Sequence, residues 1–214
     1  LHHSPKPSPS MSTALPLQHL LDSRKVWRGQ AHARGAGDAS QPSGHPALDA
    51  RLPGGGWPPS ALTELLLHAD GGGELGLLWP SLGLLTRQGR HVVLVAPPWQ
   101  PHAPAWARAG IDLAYLHCIR ADARQAAWAA EQCLRSAACA AVVCWPQRND
   151  DRSLRRLQVA AEHGQCLGFA LRDARHANNP SPAALRLLLR DGQVRILKCR
   201  GGSAAQHPIA LVAQ

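Results

Sequence analysis

The sequence predicts a three-layer α/β fold, a mostly parallel central sheet with helices on both faces and a C-terminal antiparallel hairpin. Three observations carry this reading. Between residues 61 and 171, short apolar runs rich in Leu, Val and Ala alternate with helix-length stretches, the rhythm of a parallel sheet covered on both sides. Near the C-terminus, Asp191-Gly192 separates two apolar runs, a hairpin signal. Finally, 214 residues with 45% hydrophobic side chains suffice for one sizeable core and would crowd two full domains.

The elements follow in order. Residues 1–10 precede the single methionine, Met11, and read as a remnant ahead of the natural start. Residues 11–28 hold a short amphipathic helix, with Leu17, Leu20, Leu21 and Trp27 on its apolar stripe. Residues 29–45 are rich in Gly, Ala, Ser and Pro and read as a flexible linker. The core domain spans 46–202, and 203–214 form a tail. Within the core, a glycine turn at 52–57 leads to a buried strand at 61–68. A helix over 74–88 ends at Gly89, and a strand at 91–96 stops at Pro97-Pro98. A short helix over 103–109 precedes a strand at 116–120. Asp122 caps a long Ala-rich helix to 136, with Trp128 and Leu134 on its buried side. Strands at 140–145 and 166–171 flank a helix over 150–163, whose Arg152, Arg155 and Arg156 point outward. Runs at 185–190 and 194–200 form the hairpin.

Charge narrows the function. The net charge is +9, with 23 basic against 14 acidic residues. Residues 61–147 are neutral, whereas 148–214 carry eleven basic against five acidic side chains. Such asymmetry suits an acidic partner, protein or nucleic acid, met by the last third. No apolar run is long enough for a membrane span, and no leader follows Met11, so a cytoplasmic location is expected. The six cysteines include no Cys-x-x-Cys pair and fall mostly in apolar stretches. They read as reduced core residues, and no metal site is expected.

The loop after the first strand, residues 69–76, has the shape of a phosphate cradle: Gly71, Gly72, Gly73 and Gly76 lead into a helix N-terminus. Its chemistry is missing. A phosphate loop places Lys and then Ser or Thr after its last glycine, to neutralise phosphate and hold magnesium. Here Leu77 and Leu78 stand in those positions, and Asp70 and Glu74 repel phosphate. The strand at 140–145 ends in Cys144-Trp145, with no metal-binding carboxylate. No ATPase, cofactor or small-molecule substrate is therefore expected.

Six segments in one order carry a resemblance. They are Pro46-Ala-Leu-Asp-Ala-Arg-Leu-Pro-Gly-Gly-Gly-Trp57, Thr63-Glu-Leu-Leu66, the loop at 71–76, Val93-Leu-Val-Ala-Pro-Pro98, Ala109-Gly-Ile-Asp-Leu113 and Ala129-Ala-Glu-Gln-Cys-Leu-Arg-Ser136. From about residue 15 to 200 the chain resembles the ImuA family, RecA-like accessory proteins of translesion DNA synthesis related to SulA. The resemblance implies a RecA-like core without ATPase activity, SOS induction and a role in DNA-damage mutagenesis. It implies ImuB as a protein partner, with RecA as a second. Two alternatives belong to other classes: a SulA-like cell-division inhibitor, and a nucleotide-dependent DNA-binding ATPase.

Three elements are candidate contacts. In RecA-type filaments a tethered N-terminal helix packs on the neighbour, and Leu17, Leu20, Leu21 and Trp27 resemble it in position. Lys198 and Arg200, two cations one residue apart on a strand, share a side and resemble the pair with which RecA reaches a neighbour's ATP. Arg172 and Arg175, between the last parallel strand and the hairpin, join Arg152, Arg155 and Arg156 as candidate contacts to DNA or an acidic partner, the DNA contact being weak.

Overall fold

A computed structural model describes residues 40–68, 74–146, 151–203 and 207–211. Its frame is an eight-stranded sheet in the order β3-β2-β4-β5-β1-β6-β7-β8. The strands are β1 (Leu62–Leu67), β2 (Val92–Val95), β3 (Leu116–Ile119), β4 (Ala141–Cys144), β5 (Leu167–Asp173), β6 (Leu185–Arg190), β7 (Gln193–Cys199) and β8 (Ile209–Ala210). Pairings from β3 through β6 are parallel, and β6-β7 and β7-β8 are antiparallel. The expected architecture of a mostly parallel sheet closed by an antiparallel hairpin is the observed one.

The strands form where the apolar runs predict them, because a strand covered on both faces has no polar side to show. β1, β2 and β4 are buried along their whole lengths. β3, at the sheet edge, is exposed or half-buried along its length. Side-chain alternation then sorts the core into two clusters. Leu65 and Leu67 of β1 and Val143 of β4 pack with α2 (Glu74–Arg87) and with Trp106 of α3 (Ala103–Arg108). On the opposite face, Leu62 and Val142 pack with α4 (Ala126–Arg135) and α5 (Asp151–Gly164). Sheet and two helical coverings make three layers.

Four details depart from expectation. Residues 40–45, read as linker, are packed: Ser43 is fully buried and His45 nearly so. Gln41 bridges Trp57, whose N–H donates to its carbonyl at 2.7 Å. A Cβ on Gly56 would fall 2.2 Å from that same oxygen, so glycine is required for this approach. This segment continues into α1 (Pro46–Asp49) and lies against α2, where the Trp57 indole donates to Ser81 Oγ at 3.0 Å.

The second departure concerns Trp128, expected inside and found 60% exposed. The buried face of α4 is set by Ala126, Ala130 and Leu134, and residue 128 falls out of that period. Third, Asp122 does not open the helix itself. Its carboxylate accepts from Arg124 N and Gln125 N at 2.8 and 2.9 Å, a turn that precedes α4. Fourth, the tail contributes β8, with Ile209 buried against β7. The expected helix at 11–28 lies outside the described residues.

Candidate functional site

In an open parallel sheet, ligands meet the carboxyl ends of the strands. At the end of β1, Gly71, Gly72 and Gly73 lie outside the described residues, and Gly76 sits in the first turn of α2. Leu77 and Leu78 are 1% and 0% exposed and belong to the core cluster. The positions that a phosphate loop gives to a cation and a hydroxyl are thus turned into the apolar interior. Glu74 is buried in the same first turn, where the helix dipole favours a negative charge. A phosphate would need the same place.

At the ends of β2 and β3 a shallow groove of about 320 Å³ runs between the Pro97–Pro101 turn, Cys118 and Arg120. Trp99 stands over it, 72% exposed, and the Arg120 guanidinium bonds to Gln100. In the sequence this segment announces only a strand stop; the groove depends on β3 folding beside it.

On the α4/α5 side lies a charged cluster. Glu64, in the middle of β1, is fully buried and paired with two arginines, Arg172 and Arg186. Arg172 was expected among exposed contact residues. Its side chain is instead 2% exposed, because β5 lies beside β1 and residue 172 shares the face of Glu64. It belongs to the interior and is unavailable to DNA. Sequence reading missed Glu64 and Arg186 altogether. The signal was present: a lone carboxylate in an all-apolar strand implies a buried partner.

Arg186 uses most of its donors. Nε donates to Glu64 Oε2 at 2.5 Å, Nη1 to the carbonyls of Ala177 and Asn179, and Nη2 to that of His176. It thereby holds the turn that carries Arg175. Arg175 is exposed and lies 3.8 Å from Asp173. His176 is buried beside it; burial first, then the charges of Arg172 and Arg175, push its pKa down.

The remaining candidates are exposed, but most have partners within the chain. Lys198 Nζ donates to Ser181 O at 2.7 Å, and Arg200 pairs with Glu162 at 3.2 Å. Burial, Arg200 and Arg186 lower the Lys198 pKa. Arg156 reaches across to Glu131 of α4 at 2.5 Å, while Arg152 and Arg155 are exposed on α5. Leu17, Leu20, Leu21 and Trp27 lie outside the described residues. The structure thus groups Arg152, Arg155 and Arg156 on one helix and keeps Arg172 away from them.

All six cysteines are free thiols. Burial pushes the Cys144 pKa up to about 12 and raises that of Cys166. Among the described residues no group of three metal-binding side chains occurs, and no helix is long and apolar enough to cross a membrane.

Fold and site define an α/β protein whose phosphate-loop position is closed by leucines. No protein-family model matches the chain, and no curated protein matches it. Among solved structures it is similar to SulA from Pseudomonas aeruginosa, at 26% identity and a TM-score of 0.45, over 51% of this chain and 96% of that one.

Proposed function

We propose that this chain is a non-catalytic RecA-like accessory protein of SOS-induced mutagenic translesion synthesis, acting through contacts with ImuB and with RecA. The observation that carries the non-catalytic part is the burial of Leu77 and Leu78. A chain that places core leucines where a nucleotide needs Lys and a hydroxyl has no means of neutralising phosphate there. The sheet, parallel and then antiparallel at its C-terminal end, supports the RecA-like part. The ImuA-like segments of the sequence supply the partner.

The test is co-purification with ImuB, RecA, single-stranded DNA and the tubulin-like division protein, each offered separately. ImuB retention is the expected result. Binding to the division protein alone would favour a division inhibitor of the SulA type. A rise of several degrees in melting temperature with magnesium ATP would overturn the non-catalytic reading, since a ligand of the native state must stabilise it.

A further inference from the structure

The outward face of the α4/α5 layer carries two large apolar side chains that the core does not use. Trp128 is 60% exposed in the first turn of α4, and Val159 is 50% exposed in the middle of α5. The two helices are held together closely. A Cβ on Gly164 would lie 1.8 Å from the Leu134 carbonyl oxygen, so only glycine allows their C-terminal turns to meet in this way.

Between them sits Glu131, whose side chain is 8% exposed and is approached by Arg156 of α5 at 2.5 Å and by Arg135 at 3.6 Å. Trp128 precedes Glu131 by three residues and Arg135 follows it by four, so all three share the side of α4 that meets α5. On α5, Arg152, Arg155, Arg156 and Val159 are linked by spacings of three and four and share a side likewise. The seam between the helices is therefore a tryptophan and a valine set among arginines. Its one acid, Glu131, is already engaged by two of them.

We propose that this seam is a docking site for an acidic amphipathic helix of a partner protein. Charge complementarity fixes the sign: exposed guanidinium groups gather on the seam, while Glu162 of α5 is turned away to Arg200, just past the end of β7. The apolar content fixes the class. A helix laid in a groove offers apolar side chains at intervals of three and four, which Trp128 and Val159 can receive. Nucleic acid would gain a stacking surface from Trp128 but nothing from Val159. Tryptophan and arginine are the side chains that most often dominate binding energy at interfaces. The site does not depend on the nucleotide loop or on which partner carries the helix.

The probe is a fluorescein-labelled Leu/Glu amphipathic peptide matched to the 14 residues of α5, titrated with the full chain by fluorescence anisotropy. Comparators are the same peptide with Gln for every Glu, and labelled oligo(dT). The Glu peptide should bind, and both comparators should bind more weakly. Trp128→Ala, and Arg152→Glu with Arg155→Glu, should each weaken it about ten-fold, and salt should weaken the wild type further. Since all three residues are exposed, melting temperatures should be unchanged; Val159→Lys provides a further variant if one of them misfolds. Variants that bind the Glu peptide as well as wild type does would overturn the proposal. So would equal binding of the Gln peptide, or oligo(dT) binding sensitive to these substitutions in the absence of peptide binding. Failure of the wild type to retain ImuB would sink the adaptor reading and leave this surface standing.

Discussion

Glu64 and Arg186 lie 122 residues apart in the chain and 2.5 Å apart in the fold. The pair ties the centre of the sheet to the turn above it, because the same guanidinium also collects the carbonyls of His176, Ala177 and Asn179. Removing one partner of a buried ion pair leaves the other uncompensated in a medium of low dielectric. Glu64→Gln should therefore lower stability by about 3–5 kcal/mol, read from urea unfolding.

Arg186→Met should act differently. Glu64 keeps Arg172, but three carbonyls of the 174–179 turn lose their donor. Limited proteolysis should then cut within that turn in the variant and spare it in the wild type. Equal cleavage in both would show that the turn is held by other means.

His176 makes stability depend on pH. Its Nε2 lies 3.2 Å from Arg175 Nε, whose N–H only a neutral ring can accept. Its pKa in the folded chain lies below the ordinary 6.5, so the unfolded chain binds the proton more readily. The contribution is complete above 6.5 and declines as pH falls from there toward the lowered value. The drop in unfolding free energy should be at most about 1.4 kcal/mol per pH unit, and His176→Gln should flatten that part of the curve.

Thiol chemistry should separate the cysteines. A buried thiol with its pKa raised to about 12, as at Cys144, is neither accessible nor ionised at neutral pH. Cys118 is exposed on the edge strand. A disulfide reagent should modify Cys118 in the native protein, and should reach Cys144 and Cys166 only after denaturant is added.

Leu78 provides a further test. Leu78→Ala should cost about 2–5 kcal/mol, as in other buried leucine truncations. Leu77→Lys with Leu78→Ser restores the letters of a phosphate loop but places a charge in the core. It should destabilise the chain without producing a nucleotide-dependent shift in melting temperature.

The strands were legible because a parallel sheet leaves its mark locally, as runs such as Val92–Val95 and Ala141–Cys144 with no polar face. The missing phosphate-loop side chains were legible for the same reason, since motif and loop are neighbours in sequence. Partners distant in sequence were not. Nothing near Glu64 says that Arg172 and Arg186 will meet it, so Arg172 read as a surface cation. Trp128 misled by its character: a large aromatic in an Ala-rich helix looks like core, and only the phase set by Ala126, Ala130 and Leu134 puts it outside. Residues 40–45 looked like linker because composition does not reveal a bridge to Trp57.

The strand order has a consequence for synthesis on the ribosome. β1 leaves the exit tunnel early, yet its two neighbours, β5 and β6, begin at Leu167 and Leu185. For some hundred residues of elongation an apolar strand has both edges open. Long-range pairing of this kind is slow and prone to association while it waits. Nascent chains that stop short of Leu167 should therefore need a chaperone to remain dispersed, whereas those extended past β6 should not.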